Sequence, residues 1–94
     1  MSNSIILLIL SKVKYFLLIL NKIFYMNTFS ERLKELRKEK ELTLKQVSFS
    51  LNIPLTTYAN YEQGVREPSL QMLNALCDFF EVTSDYLIGR TDNY

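Results

Sequence analysis

The side chains that most often perform covalent or acid–base chemistry are scarce in this sequence. It contains no histidine, and Cys77 is the single cysteine among 94 residues. That excludes a disulfide framework and the usual zinc clusters, and it removes the commonest general base. Cys77 falls in an apolar helical pattern, the ordinary setting of a thiol that serves as a small core residue. No pair of aspartates or glutamates is marked by its surroundings as acid and base. The expectation is a protein that is not an enzyme, with no catalytic residue, no cofactor and no metal. What remains is recognition by hydrogen bonds and charge. The net charge of +1 is too small to indicate nucleic acid by itself, but it is unevenly placed. Residues 1–26 carry Lys12, Lys14 and Lys22 with no acid, a balance of +3. Residues 27–66 hold seven basic and five acidic residues, and residues 67–94 set Arg90 against five acids, a balance of −4. A nucleic-acid reading must therefore rest on motif and position.

The elements that would position such groups are legible from period and punctuation. Two segments meet near Met26: an Ile/Leu/Phe/Tyr-rich stretch, then a mixed, helix-patterned sequence that holds both glycines and both prolines. Thr28 with Glu31 forms a capping-box pair, and Phe29, Leu33 and Leu36 recur at helical spacing, predicting a helix over 29–40. Leu42 follows as a core residue in the turn. Thr43 with Gln46 is a second capping box, opening a helix over 44–51 that Asn52 stops. Pro54 suits the first position of a third helix, which ends at Gly64. Pro68–Ser69 lead into a helix over 70–80 with Leu70, Leu73, Leu76, Cys77 and Phe80 inward. Thr83 or Ser84 caps a short last helix closed by Gly89. No stretch alternates with period two, so the expected class is all-α. Two short helices joined by a tight turn, 44–51 and 55–62, suit a first helix lying across a DNA backbone and a second entering the major groove.

Particular residues sharpen this. The run Phe29-Ser-Glu-Arg-Leu-Lys-Glu-Leu-Arg37, then Leu42-Thr43, Tyr61-Glu62-Gln63-Gly64, Arg66-Glu67-Pro68-Ser69-Leu70 and Val82-Thr-Ser-Asp-Tyr-Leu-Ile-Gly89 resemble the Cro/C1-type (Xre) helix-turn-helix domain over 28–89, in order and with its gaps. The resemblance implies a five-helix, lambda-repressor-like DNA-binding domain, here preceded by an extra hydrophobic helix. It also implies roles. Leu55, Thr56 and Asn60 would face base edges, where Asn can bond adenine bidentately, Thr either base, and Leu only a thymine methyl. The family often has Gln at the position of Leu44, so phosphate contacts pass to Thr43, Lys45 and Gln63, with Arg66 and Lys40 as further partners. Arg37 and Glu62 correspond to a pair that bridges the first and third helices, a geometry that suits a planar guanidinium. Glu41 stands where the family usually has Gly, which predicts an altered turn or a left-handed residue. Tyr58 and Tyr61 sit at the spacing of the inward face.

The division expected is 1–26 as a hydrophobic segment, 27–90 as the helix-turn-helix domain and 91–94 as a tail. The preferred function is a sequence-specific DNA-binding regulator of transcription, a repressor bound to double-stranded DNA as a homodimer, in the cytoplasm. The alternatives are a protein-interaction (antitoxin-like) module, favoured by Leu44, Leu55 and the net −2 of residues 27–94, and a membrane-tethered regulator using residues 5–24. Fourteen Ile, Leu, Val and Phe residues between 5 and 24 offer about −4 to −8 kcal/mol for insertion, and Lys12 and Lys14 oppose it by about 5–7. Met26-Asn-Thr-Phe-Ser-Glu reads as a natural start for a soluble regulator, with residues 27–94 expected to fold without the extension. With five residues after Gly89, no second, effector-binding domain is expected.

Overall fold

The computed structural model describes residues 2–94, with side chains at 5–7, 9–21 and from 28 onward. Five helices follow one another: α1 (Ser2–Glu39), α2 (Leu44–Ser50), α3 (Leu55–Glu62), α4 (Leu70–Phe80) and α5 (Ser84–Leu87). The described residues contain no strand.

The largest departure from the sequence reading is at the start. Residues 2–39 form one unbroken helix of 38 residues, so the hydrophobic segment and the first domain helix are a single element. Thr28 is therefore not a helix cap. A capping box needs its threonine in extended backbone, and no Gly or Pro lies between residues 5 and 28 to break the apolar helix that precedes it. Thr28 instead meets Gly89. A β-carbon built on Gly89, whose φ is +87°, would lie 2.7 Å from Thr28 Cγ2.

The remaining boundaries follow local chemistry. Thr43 has extended backbone, accepts from the Gln46 N–H at 3.1 Å, and its own N–H donates to Gln46 Oε1 at 2.8 Å, a complete capping box. Pro54 lies one position earlier than expected, as the extended residue that precedes α3 rather than its first helical residue. Ser69 and Thr83 cap α4 and α5 by accepting from Met72 N–H and Tyr86 N–H, both at 3.1 Å. Glu41, Asn52 and Glu81 take the left-handed conformation, with φ of 56°, 56° and 57°.

The core gathers Leu33 and Leu36 of α1, Val47 of α2, Tyr58 and Tyr61 of α3, Leu76, Cys77 and Phe80 of α4, and Leu87 of α5. Leu70 is not in it: this residue is 80% exposed, because the first side chain of a helix points back toward the N-terminus and misses the core. Burial, and then the neighbouring Asp78, push the Cys77 thiol up. The C-terminal residues close over α1 and α5. The Thr83 N–H donates to the Tyr94 carbonyl at 2.8 Å, and Tyr94 meets the Tyr86 ring edge-on at 4.6 Å. The Arg32 guanidinium lies over the Tyr86 ring, 4.4 Å from its centroid, and donates to the carbonyls of Tyr86 and Thr91. Among the described residues, no helix is long and apolar enough to cross a membrane.

Candidate nucleic-acid interface

α3 has only eight residues, too few for a stable helix by itself, so its form depends on what it packs against. Tyr58 and Tyr61 supply that packing, with Tyr58 fully buried and Tyr61 nearly so. Helical spacing then sends the residues three and four positions apart on the other side outward. Thr56, Asn60 and Gln63 lie along one such line, with Leu55 beside it. Leu55 is 47% exposed, Thr56 and Gln63 are exposed, and Asn60 is half-buried. The loop after α3 folds back on this end, since Val65 N–H and Arg66 N–H both donate to the Asn60 carbonyl, at 3.0 and 3.3 Å. The Asn60 side chain is thereby carried on a backbone fixed from both sides.

α3 is also tied to α1 by charge. Arg37 Nε donates to Glu62 Oε2 at 2.7 Å and a terminal nitrogen donates to Glu62 Oε1 at 3.0 Å, a bidentate pair. The other terminal nitrogen donates to the Leu42 carbonyl at 2.9 Å. One guanidinium so connects α1, the α1–α2 turn and the end of α3. The bond to Glu62 outweighs the cost of burial and raises the Arg37 pKa, keeping the cation charged. Burial, and then the nearby Glu62 carboxylate, push the Tyr58 phenol up. The Tyr58 hydroxyl lies close to that carboxylate yet makes no hydrogen bond of acceptable geometry.

Beside this pair is an open cleft of about 240 Å³ lined by Lys34, Arg37, Leu44, Ala59, Glu62 and Gln63. Because Arg37 is engaged with Glu62, the cleft offers a partner Lys34 and the Gln63 amide as its polar groups. Leu44 contributes an apolar wall at the start of α2. Of the residues expected at phosphates, Gln63 is in this cleft. Thr43, Lys40, Lys45 and Arg66 are exposed on the surrounding turns and on α2, and none of them lines it. The Thr43 oxygen already accepts the capping bond, which leaves its hydroxyl proton as the group it can donate. Lys34 was missed from the sequence. It is one helical turn before Arg37, so reading the face of α1 outward from Arg37 would have found it.

A family model described as helix-turn-helix matches residues 33–87, more than half of the chain and the whole of this constellation. The chain belongs to the helix-turn-helix family. Known members similar to this helix-turn-helix chain include the HTH-type transcriptional regulator AnsR of Bacillus subtilis, 48% identical over 60 residues, which are 64% of this chain and 52% of that protein. The cryptic phage CTXphi transcriptional repressor RstR of Vibrio cholerae is 37% identical over 60 residues, 64% of this chain and 54% of that one. The HTH-type transcriptional activator BcrR of Enterococcus faecalis is 35% identical over 61 residues, 65% of this chain and 30% of that one. The helix-turn-helix chain thus spans about half the length of the first two relatives and less of the third.

Proposed function

We infer that this chain is a sequence-specific DNA-binding regulator of transcription, with α3 as the helix that enters the major groove of double-stranded DNA. The observation that carries the reading is the outward line of Thr56, Asn60 and Gln63 on a short helix braced from behind by Tyr58, Tyr61 and the Arg37–Glu62 pair. Asn60 and Thr56 read base edges, and Leu55 meets a thymine methyl. Thr43, Lys45, Gln63, Arg66 and Lys40 contact phosphates, joined by Lys34 from the cleft. Repression is the sign favoured, since RstR carries that word in its name; BcrR is named an activator. The protein-interaction reading gains no support from these relatives, which are named as regulators of transcription.

The test is selection from random-sequence duplex with the full chain, followed by affinity measurements on the selected site and on unrelated DNA. Asn60→Ala lowers affinity for the selected site by about 1–3 kcal/mol and leaves unrelated DNA nearly unaffected. Lys45→Ala weakens binding to every sequence and flattens the salt dependence. Equal losses on all sequences for both variants would show that the roles are not divided in this way.

A further inference from the structure

Residues 91–94 lie outside the two helices of the helix-turn-helix, yet they are tied closely to α1 and α5. Arg32 donates to the Thr91 carbonyl at 2.6 Å and pairs with Asp92 at 2.8 Å. Two turns further along α1, the Tyr94 hydroxyl reaches both oxygens of the Glu39 carboxylate, at 3.2 and 3.4 Å. The Tyr94 carbonyl is held by Thr83 N–H and its ring by Tyr86, so that hydroxyl is presented from a fixed side chain. From Arg32 to Glu39 the helix rises about 10.5 Å, and three extended residues cover about 10 Å. The two lengths match, so residues 91–94 form a strap along one flank of α1. Arg37, two residues before Glu39, projects nearly the opposite way and holds Glu62. α1 is thus held by α3 on one flank and by the strap on the other.

The far end of the strap meets Glu39, the last residue of α1. A carboxylate there is opposed by the partial negative charge of the helix end unless it accepts from a donor. Tyr94 is that donor, and the bond to Glu39 raises its pKa, so the phenol keeps the proton it donates. The turn over 40–43 is built directly on this end. Glu41 N–H donates to the Lys38 carbonyl at 2.9 Å and Leu42 N–H to the Arg37 carbonyl at 3.2 Å. We propose that Tyr94 is a positioning residue for DNA binding: its hydroxyl pins Glu39 and the last turn of α1, and the turn set by that pin presents Lys40 and Thr43 to DNA phosphates. The role in binding rests on the DNA reading above; the pin itself does not.

Tyr94→Phe in the full chain tests both parts, because it keeps the ring against Tyr86 and removes only the hydroxyl. Without DNA, hydrogen exchange at the Glu41 and Leu42 amides becomes about fivefold faster and the α4 amides are unchanged. Glu39→Gln, which still offers the hydroxyl an acceptor, keeps the parental exchange. Affinity falls about threefold on the selected duplex and on unrelated DNA alike, and the salt dependence flattens. With Lys40→Ala already in place, the further loss from Tyr94→Phe is smaller. Unchanged exchange in Tyr94→Phe would overturn the pin. Faster exchange with parental DNA affinity, or the full threefold loss in the Lys40→Ala background, would overturn the route through the turn. A parental chain that binds no DNA would overturn the functional reading and this role with it, while the exchange result would still decide whether the pin exists.

Discussion

Arg37 and Glu62 show how much of this site depends on single side chains. Side-chain exposures of 13% and 5% place both groups out of bulk water, where a charge left without its partner is costly. Replacing either one, as Arg37→Met or Glu62→Gln, is expected to lower stability by about 3 kcal/mol. The double variant should lose clearly less than the sum, because neither charge is then stranded. A double-mutant cycle by urea denaturation measures this, and additive losses would show that the two charges act independently. Gly89 makes a second residue-scale test. Its φ of +87° and the 2.7 Å approach of Thr28 Cγ2 oppose any side chain for two separate reasons. Gly89→Ala should cost about 2 kcal/mol or more, part from backbone and part from crowding. Adding Thr28→Ser removes the clashing methyl and should restore only the crowding share; complete recovery in thermal melts would mean that the backbone conformation carries no cost.

At the scale of elements, the turns and caps obey local rules closely enough to be edited. Glu41 is exposed and left-handed at φ 56°, between the end of α1 and the Thr43 capping box. Glycine relieves the β-carbon strain there and costs backbone entropy in return, so Glu41→Gly is expected to raise stability by about 0.5 kcal/mol. Asn52→Gly, at the same φ, should change it less, since Asn tolerates this region better. Urea midpoints for the two variants decide the matter, and a loss at Glu41→Gly would mean that the carboxylate itself contributes. The capping boxes and the stops at Asn52 and Gly64 were readable because each involves residues within three or four positions. The boundary furthest from its expected place, Thr28 as the start of a helix, failed for the converse reason. A capping signature acts only where the preceding chain leaves the helix, and the apolar run before Thr28 does not.

In the proposed function α3 alone reads DNA. At about 1.5 Å per residue an eight-residue helix is about 12 Å long, enough to meet only a few base pairs. If the proposed function is right, two copies must bind together, with half-sites about 34 Å apart on one face of the duplex. Footprinting on the selected site should show paired protections with that separation, and protection of one half-site at saturation would identify a monomeric binder. The expected division between residues 1–26 and 27–90 bears on the same question, because α1 runs through it without a break. Helical content and melting of residues 27–94 measure how much the domain gains from the continuous helix.

The sequence by itself determined the all-α class, the order of the short helices, their caps, and the inward pair Tyr58 and Tyr61, since period and local hydrogen-bonding chemistry need only near neighbours. It also supplied the residues Arg37 and Glu62 through resemblance to a family. Only the tertiary structure decided the bidentate form of that pair and its third bond to the Leu42 carbonyl. The same holds for the cleft that adds Lys34, the exclusion of Leu70 from the core, and the approach of Thr28 to Gly89. Each of these depends on how helices distant in sequence are set against one another, and spacing along the chain does not encode that distance.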